Sequence, residues 1–150
     1  MATASLARVE DTGRHRCDDL CGGAIAPARL PSRIAARHAE RVYVACDCLL
    51  DISAAFFNVS ARDLRRPGRC SDDISRVRQI AMYCAHTVLR FTMSDVGKGF
   101  GRDRTTVMHA CHIVEDLRDD PDFEAILLRI EQLVAAAFRG REGFPAALAE

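Results

Sequence analysis

Apolar residues between positions 32 and 139 return every three to four places, which is the helical period, and no strand of any length competes with that pattern. The expected class is all-α: a helical bundle containing a helix-turn-helix, with a long N-terminal helix and a flexible N-terminal tail. Ser32 is a plausible N-cap after Pro31. Ile34, Ala35, His38, Val42, Ala45, Leu49, Ile52 and Phe56 then predict the inner face of one helix ending near Phe57–Asn58. Val59 to Leu64 reads as a tight turn with one short helical turn. Pro67–Gly68 stops any helix there. A second long helix is expected from Ser71 or Asp72 to about Arg90, with Ile74, Val77, Ile80, Ala81, Cys84, Val88 and Phe91 inward.

Thr92 and Asp95 have capping-box spacing and predict the start of a short helix, with Gly97 and Gly99 suited to the turn after it. Asp103 is a good N-cap for the next helix, whose inner face is Val107, Ala110, Cys111, Val114 and Leu117. Pro121 suits the first turn of a last helix, with Ile126, Leu127, Ile130, Leu133 and Val134 inward. Residues 1–30 lack periodicity and are expected to form a tail, residues 31–139 the domain, and residues 140–150 a C-terminal tail.

Net charge is zero, yet it is unevenly placed. Residues 60–112 hold 10 Lys or Arg against 5 Asp or Glu, and residues 113–150 hold 4 against 9. A basic segment followed by an acidic one suggests a polyanion site on a neutral chain. Of the 21 cations only Lys98 is Lys. Arg suits phosphate and guanine, although a genome rich in G and C gives the same bias.

The basic segment contains the helix from Asp103. On a helical wheel Arg104, Thr105, Met108, His109 and His112 face away from the apolar side, and no acid joins them before Glu115. Arg can bond guanine, and Thr offers both a hydroxyl and a methyl to base edges. A helix N-terminus adds partial positive charge near phosphate. Plainer roles stay open: Asp103 as an N-cap first, Thr106 bonded to its own backbone, His109 and His112 as surface histidines, Arg78 and Gln79 as helix-surface residues, and Arg65, Arg66 and Arg69 as a solvated loop.

Other chemistries find little support. The seven cysteines are an odd number, and buried reduced thiols explain most of them. His15, Cys17 and Cys21 do not make up the four ligands of a structural zinc site. No metal, cofactor or small-molecule substrate is expected, nor a catalytic constellation. The chain has no run of 18 apolar residues, and its N-terminus has no apolar stretch after its charges. The expected location is cytoplasmic and nucleoid-associated, away from membranes.

Several runs resemble one family: Phe56 to Leu64, Arg78-Gln79-Ile80-Ala81-Met82-Tyr83, Thr92 to Gly97, Phe100-Gly101, and Arg102-Asp103-Arg104-Thr105-Thr106-Val107-Met108-His109-Ala110. From about Val42 to Leu133 the chain resembles the C-terminal DNA-binding domain of the bacterial chromosomal replication initiator DnaA. The resemblance implies recognition of short duplex boxes at replication origins and some promoters. It places Asp103, Arg104, Thr105, Thr106 and His109 at base edges in the major groove. It places Arg78, Gln79 and Thr92 on phosphates, Arg69 in the minor groove, and Arg102 on the backbone side.

Four departures stand out. Arg104 replaces the family's His, one Gly of a Gly-Gly pair is missing before Arg102, Asp72–Asp73 follow the basic loop, and Ile113 stands where many members have Lys. Weaker binding than the initiator's is expected. No G-x-x-x-x-G-K-S/T phosphate loop occurs, so a recognition domain without the ATPase module is expected. The alternative is a protein-interaction module that binds the initiator, or the ATPase that inactivates it, without touching DNA.

Overall fold

The computed structural model describes residues 32–68 and 71–141. The tail over 1–30, Arg69, most of the C-terminal tail, and His15, Cys17, Cys21 and Cys70 lie outside the described residues. Six helices follow in order: α1 (Arg33–Phe57), α2 (Ala61–Arg65), α3 (Asp72–Thr87), α4 (Met93–Phe100), α5 (Arg104–Leu117) and α6 (Pro121–Phe138). No strand occurs among the described residues, and no described helix is long and apolar enough to cross a membrane.

Each helix begins at a side chain that accepts a free backbone amide, as helix starts require. Ser32, Ser60, Ser71, Thr92, Asp103 and Asp120 fill that position for α1 to α6. Pro121 sits in the first turn of α6, where its missing N–H costs nothing. α1 ends at Asn58, which takes the left-handed conformation (φ 52°) that Asn tolerates better than most residues.

α3 is the central element. It packs on α1, α2, α4, α5 and α6, which explains why Met82, Tyr83 and Ala85 are buried beside the expected Val77, Ile80, Ala81 and Cys84. Leu49, Val96, Val107, Val114, Leu127, Ile130 and Val134 complete an aliphatic core. Burying one such side chain contributes about 1.5–3 kcal/mol.

The structure changes four details of the expected pattern. First, α3 ends at Thr87 rather than near Arg90. The amides of Val88 and Leu89 both bond the carbonyl of Cys84, and Arg90 then turns left-handed (φ 60°). Second, Ile34, Ala35 and His38 are exposed. The first turns of α1 outrun the bundle, and Ile34 is 82% exposed. Third, Ile126 and Leu133 are more than two-fifths exposed, while Phe138 is buried. The inner stripe of α6 runs through Leu127, Ile130, Val134 and Phe138.

Fourth, Gly97 and Gly99 lie inside α4, and Gly101 makes the turn. Gly101 is left-handed (φ 62°), its N–H bonds Lys98 O at 3.3 Å, and Arg102 N–H bonds Gly97 O at 2.7 Å. That pair of bonds is a Schellman closure. Gly97 and Gly99 serve close packing instead. A Cβ on Gly97 would stand 2.7 Å from Arg102 O, and one on Gly99 would strike the side chain of Cys46 on α1.

Candidate nucleic-acid interface

α4 and α5 are joined by three residues, Gly101, Arg102 and Asp103. The turn is short, and the end of one helix and the start of the next are both capped. Asp103 Oδ1 accepts Thr106 N–H at 2.6 Å, and Asp103 Oδ2 accepts the Thr106 hydroxyl at 2.9 Å. The Thr106 amide, followed by its hydroxyl, holds the Asp103 carboxyl below the usual carboxylate range. Thr106 therefore bonds its cap rather than its own backbone. Asp103, Arg104, Thr105 and Thr106 are all exposed, and the first turn of α5 has no acid. Behind that turn Val107, Ala110, Cys111 and Val114 are buried, so the polar tip stands on a fixed base.

Beside the tip lies a cleft of about 400 Å³ between α3 and α5. Gly68, Arg78, Gln79, Arg102, Thr106 and His109 line it, over Met82 and Ala110. The structure thus brings together five of the residues nominated from sequence. Gln79 is half-buried, and its Oε1 accepts a hydrogen bond from Arg76 at 3.3 Å. Thr92 is not in the cleft lining. It caps α4, and its hydroxyl donates to Asp95 Oδ2 at 2.8 Å, which also meets His38 of α1 at 3.2 Å.

Arg78 has a structural duty that its sequence position does not reveal. It is only 7% exposed. Its guanidinium donates to the carbonyls of Leu64 (2.9 Å), Asp63 (3.1 Å) and Arg66 (3.2 Å). These carbonyls end α2 and begin the basic loop, so Arg78 anchors the root of that loop. Arg102 reaches the same Arg66 carbonyl at 3.4 Å. The turn before α5 and the loop are therefore tied to one acceptor.

The loop is less cationic than its letters suggest. Arg65 is paired with Asp47 and Asp51 of α1, each at 2.8 Å. Arg66 is exposed, with Asp63 at 3.8 Å. Sequence reasoning also missed Arg118. It grips Glu124 with two bonds (2.7 and 2.8 Å) and donates to the Tyr83 hydroxyl at 2.7 Å, tying α3 to the α5–α6 corner. An Arg followed six residues later by Glu carries no local signal of this.

Known proteins match this geometry. Residues 46–114 fit the family model for the bacterial DnaA protein helix-turn-helix. This segment is a DnaA-type helix-turn-helix domain. The chromosomal replication initiator DnaA of Lachnoclostridium phytofermentans is 35% identical over 83 residues, covering 54% of this chain and 18% of the relative. That of Laribacter hongkongensis is 31% identical over 93 residues, covering 61% and 19%. The chain thus spans about a fifth of the length of these relatives. In three dimensions it resembles a crystal structure of a DNA replication initiation factor, with TM-score 0.59 and 24% identity, covering 67% of this chain and 32% of the other. It also resembles a replication initiator DnaA bound to AMPPCP and single-stranded DNA, with TM-score 0.57 and 23% identity, covering 65% and 30%. These two likenesses support the fold. The DnaA-type match rests on the helix-turn-helix segment, residues 46–114.

Proposed function

We propose that this DnaA-type domain binds double-stranded DNA at short initiator-like boxes and so regulates chromosome replication initiation or transcription. The observation that carries the reading is the acid-free, exposed first turn of α5, held out by a capped turn and an aliphatic base. A helix-turn-helix reads base edges with the N-terminal residues of its second helix. Asp103, Arg104, Thr105, Thr106 and His109 then stand on the base side, and Gln79 and Arg102 on the backbone side. Arg78 serves the backbone side by fixing the loop root and through what its guanidinium shows to the cleft. Thr92 meets a phosphate only if the duplex extends past the N-terminus of α4. Arg69 keeps its minor-groove assignment from the resemblance. Nucleoid association follows from the same reading.

The protein-partner reading has one observation of its own. Glu115, Asp116, Asp119, Asp120 and Asp122 form an exposed acidic corner, and none of them lines the cleft. That corner repels a phosphate chain and suits a cationic protein. Fluorescence anisotropy with a labelled initiator-box duplex and a scrambled duplex at ~100 mM salt decides the main reading. Preference for the box supports it. Equal affinity for both duplexes, or none for either, contradicts it and leaves the partner reading.

A further inference from the structure

We infer that α1 pairs with α1 of a second copy of this chain, antiparallel, through its outward stripe Arg33, Arg37, Glu40, Val44, Asp47 and Asp51. These residues are all exposed and recur at alternating intervals of four and three, the spacing of the a and d positions of a heptad. The pairing goes beyond the DNA-binding reading and does not depend on it. Its starting point is a helix whose leading half is uncovered. Every residue from 33 to 41 is exposed, and Val42 is the first buried one. A run of single helix this short is marginal in water unless something packs on it. Tyr43 and Val44 add apolar surface to the same side, at 63% and 51% exposure.

The stripe also has a direction. Its cations, Arg33 and Arg37, lie at the start of α1, and its acids Asp47 and Asp51 lie towards the end. Arg33 is the first residue of the helix and the first turn has no acid, so this order opposes the helix dipole. Neither Arg33 nor Arg37 has a hydrogen bond or ion pair among the described residues. Asp47 and Asp51 share the one guanidinium of Arg65. Two carboxylates against one cation leave a negative charge over, and their side chains are 52% and 61% exposed. Each end of the stripe therefore lacks the charge that the other end holds in surplus. A two-fold interface needs such self-complementarity, because residue i meets j while j meets i. With the axis level with Val42, an antiparallel copy sets Arg33 against Asp51, Arg37 against Asp47 and Glu40 against Val44. The two Tyr43 rings flank the centre. A parallel copy would set like charge against like.

The experiment is sedimentation velocity on the full chain without DNA, over a rising series of protein concentrations, at low salt and at about 1 M salt. The wild type is expected to shift from monomer to dimer as concentration rises. Its ion pairs lie at the surface, so the association should be weak and should fade at high salt. Arg33→Asp with Arg37→Asp removes no described contact and makes the stripe acidic throughout. That variant should associate at least roughly tenfold more weakly. Arg37→Asp alone should weaken the dimer, and adding Asp47→Arg to it should restore the dimer, because the pair is reversed in both copies. Asp47→Arg also touches Arg65, so circular dichroism melts confirm that each variant is folded.

Three results overturn the inference. A wild type that stays monomeric at every concentration leaves the stripe to another segment of the chain or to another protein. A dimer that survives in Arg33→Asp with Arg37→Asp is built on a different face, such as the exposed Ile126 and Leu133 of α6. A folded Arg37→Asp, Asp47→Arg chain that stays monomeric shows that the two residues do not meet across the axis. None of these results bears on the duplex anisotropy test, so the proposed function stands or falls separately.

Discussion

The guanidinium of Arg78 lies 2.9 Å from the carbonyl oxygen of Leu64, joining the middle of the bundle to the end of α2. Its other bonds, to Asp63 and Arg66, make it a buried cation held wholly by backbone carbonyls. A charge in such a place is tolerated because each donation is charge-assisted.

Replacing Arg78 by Met should therefore destabilise the fold by about 2–4 kcal/mol, since three carbonyls lose a charged donor and the Leu64 carbonyl sits where water enters poorly. Arg78→Lys keeps the charge but loses the planar fork, and should fall between wild type and Met. Urea denaturation without DNA measures both. Wild-type stability in Arg78→Met would show that the three bonds contribute nothing.

The glycines around the helix-turn-helix should rank by space, not by conformation alone. Gly99→Ala drives a methyl into Cys46, with the Cys46 Cβ only 2.9 Å away, and should cost about 1–3 kcal/mol as α4 is pushed from α1. Gly97→Ala meets the rigid carbonyl of Arg102 and should cost at least as much. Gly101→Ala has open space around it but a φ of +62°, and should cost about 1 kcal/mol. Thermal melts of the three variants give the order. Gly101→Ala as the worst of the three would refute the packing argument.

Ser53 is fully buried on α1, and its hydroxyl has no hydrogen-bond partner among the described residues. Ser53→Ala removes an unpaired polar group and improves helix propensity. The melting temperature should rise, with a stability gain of about 1 kcal/mol. A loss of stability would mean that the hydroxyl is bonded in solution.

Acid should weaken the helix-turn-helix through two carboxyls, the α5 cap Asp103 and Asp95 in the first turn of α4. Asp103 is held below the usual range by the Thr106 amide and hydroxyl. For Asp95 burial pushes upward, and the hydrogen bonds from His38 and Thr92 outweigh it, so the net direction is down. A carboxyl depressed in the folded state contributes stability above its unfolded pKa, about 3.9, and loses it as pH falls through the folded value. Urea midpoints should fall below about pH 4. Asp103→Asn, which caps without titrating, should flatten that fall. An unchanged acid limb in Asp103→Asn would remove Asp103 from the account.

Much of this domain was legible from periodicity and caps. Ser32, Thr92, Asp103 and Pro121 marked helix starts correctly because capping is local chemistry, carried by residues within one turn. The inner face of α5 was legible for the same reason. What stayed hidden depends on distant partners. Arg78 opens a run that reads like a helix surface, and its burial is explained only by carbonyls from another segment. Gly99 looked like a turn residue until Cys46 stood against it. Ile34 fits the helical stripe, but periodicity does not say where a bundle ends. In the interface the exposed tip was readable, while the closure of Asp103 on Thr106 was not.

The central claim, that the first turn of α5 meets the major groove, is tested most directly by NMR. ¹⁵N-labelled protein would be titrated with an initiator-box duplex while every assigned amide is followed. The account predicts the largest shifts at residues 102–109, with smaller ones at Ser75 to Gln79 along the cleft. Shifts confined to α1 or to the acidic α5–α6 corner, with residues 102–109 unmoved, would contradict it.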